Sequence, residues 1–165
     1  MPQENPAQKN PAQENLAQEA GPGLSGLEQL RALMDSGRNA GIGATLDFRL
    51  VEIEEGRAVF EGAPGLSVYN PIGTVHGGYA AALLDSACGC AVHAKLAPGQ
   101  SFTTLELKVA YHRPMTARTG TVRAVGTVIS FGRRAAFTEA RLTDAEGRLL
   151  ASATSSLLVI SPGAA

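Results

Sequence analysis

No apolar run in this 165-residue chain reaches the roughly 18 residues that a membrane-spanning helix needs. Charge of one sign is not in excess either. Lys plus Arg number 14 and Asp plus Glu 15, for a net charge of −1, so no overall basic field invites nucleic acid. The N-terminus lacks the charged-then-apolar layout of a secretory signal. Cysteine is scarce, with Cys88 and Cys90 alone. On a helix a spacing of two puts these on nearly opposite faces, which suits neither a disulfide nor the usual metal pair. They are expected to be small packing residues, and with no signal the expected location is cytoplasmic. What remains is ordinary for a globular protein, with 44% hydrophobic residues and a length that fits one domain with a real core.

The most local shortage is of charge. From Gly62 to Ala94 the only Asp, Glu, Lys or Arg is Asp85. It stands inside HGGYAAALLDSACGCA, residues 76–91, the most apolar segment of the chain.

Residues 1–24 begin with three copies of an Asn-Pro/Leu-Ala-Gln unit and have little to bury. A disordered low-complexity tail is expected there, and a single domain over residues 25–165. Ser25-Gly26-Leu27-Glu28 has the capping-box pattern, and Leu27, Leu30, Leu33 and Met34 continue at helical spacing up to Gly37. Leu46, Phe48 and Leu50 then alternate with polar residues as a strand, and Arg57 to Glu61 returns as a second. A loop rich in Pro and Gly leads to a helix from about Gly77 to Lys95, stopped by Ala97-Pro98-Gly99. Leu105, Leu107, Val109 and Tyr111 alternate again, and three further strands follow, to Ile160. Helix, two strands, one long helix and four strands predict an α+β domain whose antiparallel sheet wraps the long helix.

One turn either side of Asp85 lie Ala81, Ala82, Cys88 and Gly89, none able to pair with it. A charge in a helix usually lies on its solvent face, but an unpaired buried carboxylate costs several kcal/mol, so a general base or nucleophile is expected here ahead of an exposed or structural charge. Gly77-Gly78 opens the same helix directly after His76. The first amides of a helix have no internal partner and lie at the positive end of its dipole. Two glycines let a substrate approach that backbone, or simply ease a tight entry into the helix. From His76 to Asp85 the rise is about 13 Å. One helix cannot bring both groups to one carbonyl carbon, so a site shared across a dimer is predicted. Gly89, just past Asp85, is expected to mark close backbone packing.

The set Asn70, His76-Gly77-Gly78, Asp85 and the strand TLELKVAYHRP, followed by SFGRRAAFTEARL, resembles the hotdog-fold acyl-CoA thioesterases of the phenylacetate-pathway (PaaI-like) type. The likeness covers about residues 40 to 160. It implies the hotdog fold, an antiparallel sheet around one long central helix, in dimers that often pair into tetramers. It implies Asp85 as the catalytic acid, and Asn70 and the Gly77 amide as the groups that polarise the thioester carbonyl from the other subunit. His76 would shape the loop. Thr104, with Thr103 close behind, would assist the water. Gly78 and Tyr79 would lie against substrate, with Tyr69 and Leu83 also candidates for the acyl pocket. Arg133, Arg134 and Arg113 would meet the phosphates of CoA, which is part of the substrate; no metal or other cofactor is implied. His93 and His112 are read as structural. Two other readings compete: a non-catalytic acyl-CoA binder, and a hotdog hydratase or dehydratase.

Overall fold

The computed structural model describes Glu19, Gly21 and residues 23–163. The tail expected over residues 1–24 therefore lies almost wholly outside the described residues. Helix α1 (Gly26–Asp35) starts on the anticipated capping box: the Ser25 amide donates to the Glu28 carboxylate at 2.8 Å, and the Ser25 side chain accepts from the Glu28 amide. Gly37, just past the helix, has φ +66°, a conformation that glycine adopts without strain.

The first departure from expectation follows. Leu46 is not in a strand but ends a short helix, α2 (Gly41–Leu46). Asp47 then takes a left-handed φ of 55° and reverses the chain into strand β1 (Phe48–Glu54). The alternation at positions 46, 48 and 50 thus straddles two elements.

Strand β2 (Arg57–Gly62), helix α3 (Gly77–His93), and strands β3 (Ser101–Tyr111), β4 (Val122–Phe131), β5 (Ala135–Asp144) and β6 (Leu149–Ile160) complete the order. All six strands form one antiparallel sheet in the order β1-β2-β4-β5-β6-β3. Helix α3 packs on every strand. This is the sheet wrapped on one long helix that the sequence pattern predicts, and it agrees with the hotdog fold that the resemblance implies.

A row of small residues lets the helix lie so close. Ala58, Gly126, Ala140 and Ala153 are aligned across β2, β4, β5 and β6, and all are buried. Gly126 lies directly beneath the backbone of α3. A Cβ there would collide with the Ala87 carbonyl group and come within 2.8 Å of the Cys88 amide nitrogen. The helix meets this floor with Ala80, Leu83, Leu84, Ala87 and Ala91, none of which retains exposure. Gly89 has a different partner from the one anticipated. It makes room for the Phe102 ring, 3.1 Å from where its Cβ would stand, and not for another backbone.

Strands β1 and β3 are the two edges of the sheet. Strand β3 is bulged. Thr104 is opposite Leu157 and Glu106 opposite Ser156, so Leu105 is an extra residue, and it is 63% exposed. Among the described residues no helix is long and apolar enough to cross a membrane.

Candidate active site

Asp85 lies midway along α3, on a half-buried stripe with Ala81, Ala82 and Ser86. Its Oδ1 accepts a hydrogen bond from the Thr104 hydroxyl of β3 at 3.2 Å. The hydroxyl fixes the carboxylate rotamer, and Oδ2 has no hydrogen-bond partner among the described residues. Thr103, the neighbouring candidate, is exposed. The alternation of strand residues gives it the opposite face.

The start of the helix forms a second group of residues. His76 is the N-cap, and its Nδ1 accepts from the Gly78 amide at 2.8 Å. The His76 amide donates to the Val68 carbonyl at 2.8 Å, which ties the preceding loop to the helix. Of these first amides, that of Gly77 has no partner among the described residues. Neither Gly77 nor Gly78 has a positive φ. Their glycine character therefore serves space rather than backbone freedom. A Cβ at Gly78 would meet the His76 ring at 2.9 Å, and one at Gly77 the Tyr111 ring at 3.1 Å. A cavity of about 300 Å³ opens here, lined by Val75, Gly77, Tyr111, Arg113 and Met115.

Asn70 is already engaged in its own turn. Its Oδ1 accepts from the amides of Ile72 at 3.1 Å and Thr74 at 3.2 Å, and its Nδ2 donates to Thr74 Oγ1 at 2.9 Å. One amide hydrogen remains beyond these bonds, since an amide NH₂ carries two donors. Tyr69, another pocket candidate, accepts from the Ala117 amide through its hydroxyl at 2.7 Å and so anchors the same loop.

Tyr79, expected to lie against substrate, is 2% exposed and stacks edge-on against Phe48 in the core. Its hydroxyl has no hydrogen-bond partner among the described residues and sits beneath Gly62; burial pushes its pKa up to about 12. Leu83 is likewise fully buried.

The three arginines do not gather. Arg113 borders the cavity at Gly77 and donates to the Leu149 carbonyl at 2.6 Å. Arg133 and Arg134 are exposed at the β4–β5 turn. That turn adjoins Phe131, which packs near Val92 and Leu96 past the other end of α3. Within one chain the length of the helix separates the two groups.

The remaining titratable groups on α3 take structural positions. His93 is at the junction of α1 and α3, with Nε2 2.9 Å from Gln29 Oε1 and its ring edge-on to Phe102; burial lowers its pKa. Burial pushes the Cys88 thiol up to about 11, which leaves it protonated at neutral pH and a poor nucleophile. A separate cavity of about 320 Å³, lined by Asn39, Asp47, Arg49, Glu61 and Thr121, opens at the β1–β2 side. It touches neither the Asp85 pair nor the start of α3.

The sequence pattern missed two contacts. Tyr111 donates from its hydroxyl to the Gly77 carbonyl at 3.0 Å across 34 positions, and the bulge at Leu105 brings Thr104 to Asp85. Both depend on how β3 lies against the helix, which no local spacing reveals.

Residues 72–151 match the family described as the thioesterase superfamily, a stretch that contains His76 to Gly78, Asp85, Thr104 and Tyr111. A 1,4-dihydroxy-2-naphthoyl-CoA hydrolase of Listeria monocytogenes is 26% identical over 110 residues, which covers 67% of this chain and 88% of that relative. The phenylacetic acid degradation protein PaaI of Thermus thermophilus, solved as a mutant, superposes with a TM-score of 0.66 at 28% identity, covering 72% of this chain and 98% of that one. A thioesterase from Haemophilus influenzae gives a TM-score of 0.70 at 23% identity over 82% of this chain and 90% of its own, a likeness of fold. The match to the thioesterase superfamily over residues 72–151, just under half of the chain, the similarity to a CoA-thioester hydrolase and the shared architecture together support a thioester hydrolase of the hotdog fold.

Proposed function

We propose that the protein hydrolyses small acyl- or aryl-CoA thioesters to the free acid and CoA, with Asp85 as the reacting carboxylate. The observation that carries this reading is the Asp85–Thr104 pair, the one charge on an otherwise uncharged helix, oriented by a neighbouring hydroxyl. As general base, Asp85 takes a proton from water through Oδ2 while the water oxygen bonds to the thioester carbon. The carbonyl oxygen becomes an oxyanion, which the Gly77 amide at the positive end of the helix dipole stabilises. The remaining hydrogen of Asn70 is a second donor. When the oxyanion collapses the C–S bond breaks, and the proton on Asp85 passes to the thiolate. As nucleophile, Asp85 instead bonds to the carbon, the C–S bond breaks to release the thiolate, and water then cleaves the resulting anhydride, restoring Asp85 and supplying the proton that the thiolate takes up. Both routes use only these side chains, backbone amides and water.

Gly77 and Asp85 of one chain are about 12 Å apart along the helix, eight residues at 1.5 Å each. The two therefore serve different carbonyls. Strand β3 offers the means of combining two chains. It is a free edge of the sheet, with Thr104 of the Asp85 pair towards one end and Tyr111, against Gly77, at the other. Pairing β3 antiparallel with β3 of a second copy, about a two-fold axis through Lys108 and with the bulged Leu105 left out of the count, sets Thr104 of each chain opposite Tyr111 of the other. The loop that carries Asn70 leaves Leu66 74% and Ile72 84% exposed, apolar surface for a second copy to cover. Two such dimers per assembly give the tetramer that the resemblance implies. The arginine groups, at opposite ends of the helix, would then approach CoA from different chains.

A panel of aryl-, short- and medium-chain acyl-CoA thioesters with a thiol-detecting dye tests the activity. Release of CoA from at least one is expected. Tight acyl-CoA binding with no thiol released would favour the binder, and gain or loss of an enoyl chromophore the hydratase. Mixing two variants tests the shared site. Asp85→Asn removes the base. Gly77→Pro removes the amide at the first helical position, where proline is tolerated. Each alone is expected to be nearly inactive. After subunit exchange about one quarter of wild-type activity should return, because half of the dimers are mixed and each has one intact site of two. A site confined to one chain would recover nothing.

A further inference from the structure

We propose that Tyr111 is a positioning residue, which holds the first turn of α3 so that the Gly77 amide keeps a fixed direction. The proposal rests on the reading of Gly77 given above.

The first turn of a helix is its least constrained part. A donor that stabilises an oxyanion is effective only when it is held in place before charge develops. Here the turn is held at three points. The His76 amide is bound to the Val68 carbonyl and the Gly78 amide to His76 Nδ1, each at 2.8 Å. The third point is the Tyr111 hydroxyl, which donates to the Gly77 carbonyl at 3.0 Å. The ring itself lies against Gly77, with Cζ and Oη both 3.1 Å from where a Cβ would stand. This contact gives position 77 a reason to be glycine, since its backbone conformation requires none. The Gly77 amide is left unpartnered among the described residues, at the edge of the cavity that Tyr111 also lines.

Tyr111 contributes little to the core, being 57% exposed at the last position of an edge strand. Its hydroxyl has no evident use in folding that the ring does not already serve. Tyr111 does not contact the reacting carbonyl in this reading; it acts through Gly77.

Tyr111→Phe keeps the ring and deletes the hydrogen bond. With a thioester that the wild type hydrolyses, kcat is expected to fall about tenfold, the scale of one lost hydrogen bond. KM should stay within about twofold and the thermal midpoint should not change. A residue with a merely structural role would lower the midpoint and leave kcat per folded molecule alone. The amide resonance of Gly77, followed by NMR in wild type and variant, reads the same contact without turnover. It should move, and its hydrogen exchange should quicken. An unchanged kcat, a loss of kcat matched by a loss of thermal stability, or an unmoved Gly77 resonance would each overturn the proposal. If the wild type releases thiol from no thioester, the hydrolase reading fails by itself, and the Gly77 resonance still decides whether Tyr111 holds that turn.

Discussion

Asp85→Asn is expected to lower turnover by about 10²- to 10⁴-fold, the usual contribution of a positioned general base. Asparagine preserves the size of the side chain and an Oδ1 that can still accept from Thr104. What it removes is charge and basicity. The same change should leave the protein as stable or slightly more so. Asp85 is half-buried among Ala81, Ala82 and Ser86 and has no salt-bridge partner among the described residues. Relieving an unpaired carboxylate of partial burial is favourable. Activity and stability moving in opposite directions is the signature of a group kept for chemistry at some cost to the fold. Thiol release and a urea midpoint on the same preparation measure both. Retention of more than about a tenth of wild-type turnover would remove Asp85 from the reacting role.

The second large effect concerns the floor beneath the helix. Glycine within a strand is usually a weakness, and alanine in its place typically gains about 0.5–1 kcal/mol. At Gly126 the opposite sign is expected. A methyl group there meets the backbone of Ala87 and Cys88, which cannot rotate away as a side chain could. The helix must lift from the row formed with Ala58, Ala140 and Ala153. Gly126→Ala should therefore destabilise by about 2–3 kcal/mol, in the range of overpacked cores, and Gly126→Val by more. Denaturant titration gives the result directly. A midpoint that rises in Gly126→Ala would show that the helix has slack over β4. Because Asp85 and Ala87 share this segment of α3, the alanine variant is also expected to weaken the Asp85–Thr104 contact and lower activity.

Much of this fold was legible because the elements announce themselves locally. The capping box at Ser25 and Glu28 formed as its spacing implied. The long apolar helix demanded a sheet to cover it, and the order of strands left few alternatives to an antiparallel one. Leu46 was misplaced because GIGATL has neither a strong helical stripe nor a side-chain cap. Only the left-handed turn at Asp47 separates it from β1, and that turn is set by how the chain meets the sheet. In the site, Asp85 stood out through the absence of other charge, and the Gly77 amide through the general polarity of helix starts. The engagement of Asn70 in its own turn, the His76 cap and the Tyr111 contact were not visible. Each depends on a geometry that residue identity allows but does not dictate. The burial of Tyr79 among Phe48 and Gly62 was likewise not visible, because it depends on how α3 meets β1 and β2.

The bulge at Leu105 has an arithmetical consequence. Thr104 and Tyr111 both reach α3, yet they are seven positions apart, and in a regular strand an odd separation puts two side chains on opposite sides. One uncounted residue makes the separation effectively even. Any chain of this architecture that places a hydroxyl and an aromatic at these two stations must therefore either keep an odd interval with one irregular residue or use an even interval with none. Deleting Leu105 itself would therefore leave both against the helix, whereas deleting a residue elsewhere between them, with the bulge kept, would turn one of the two away.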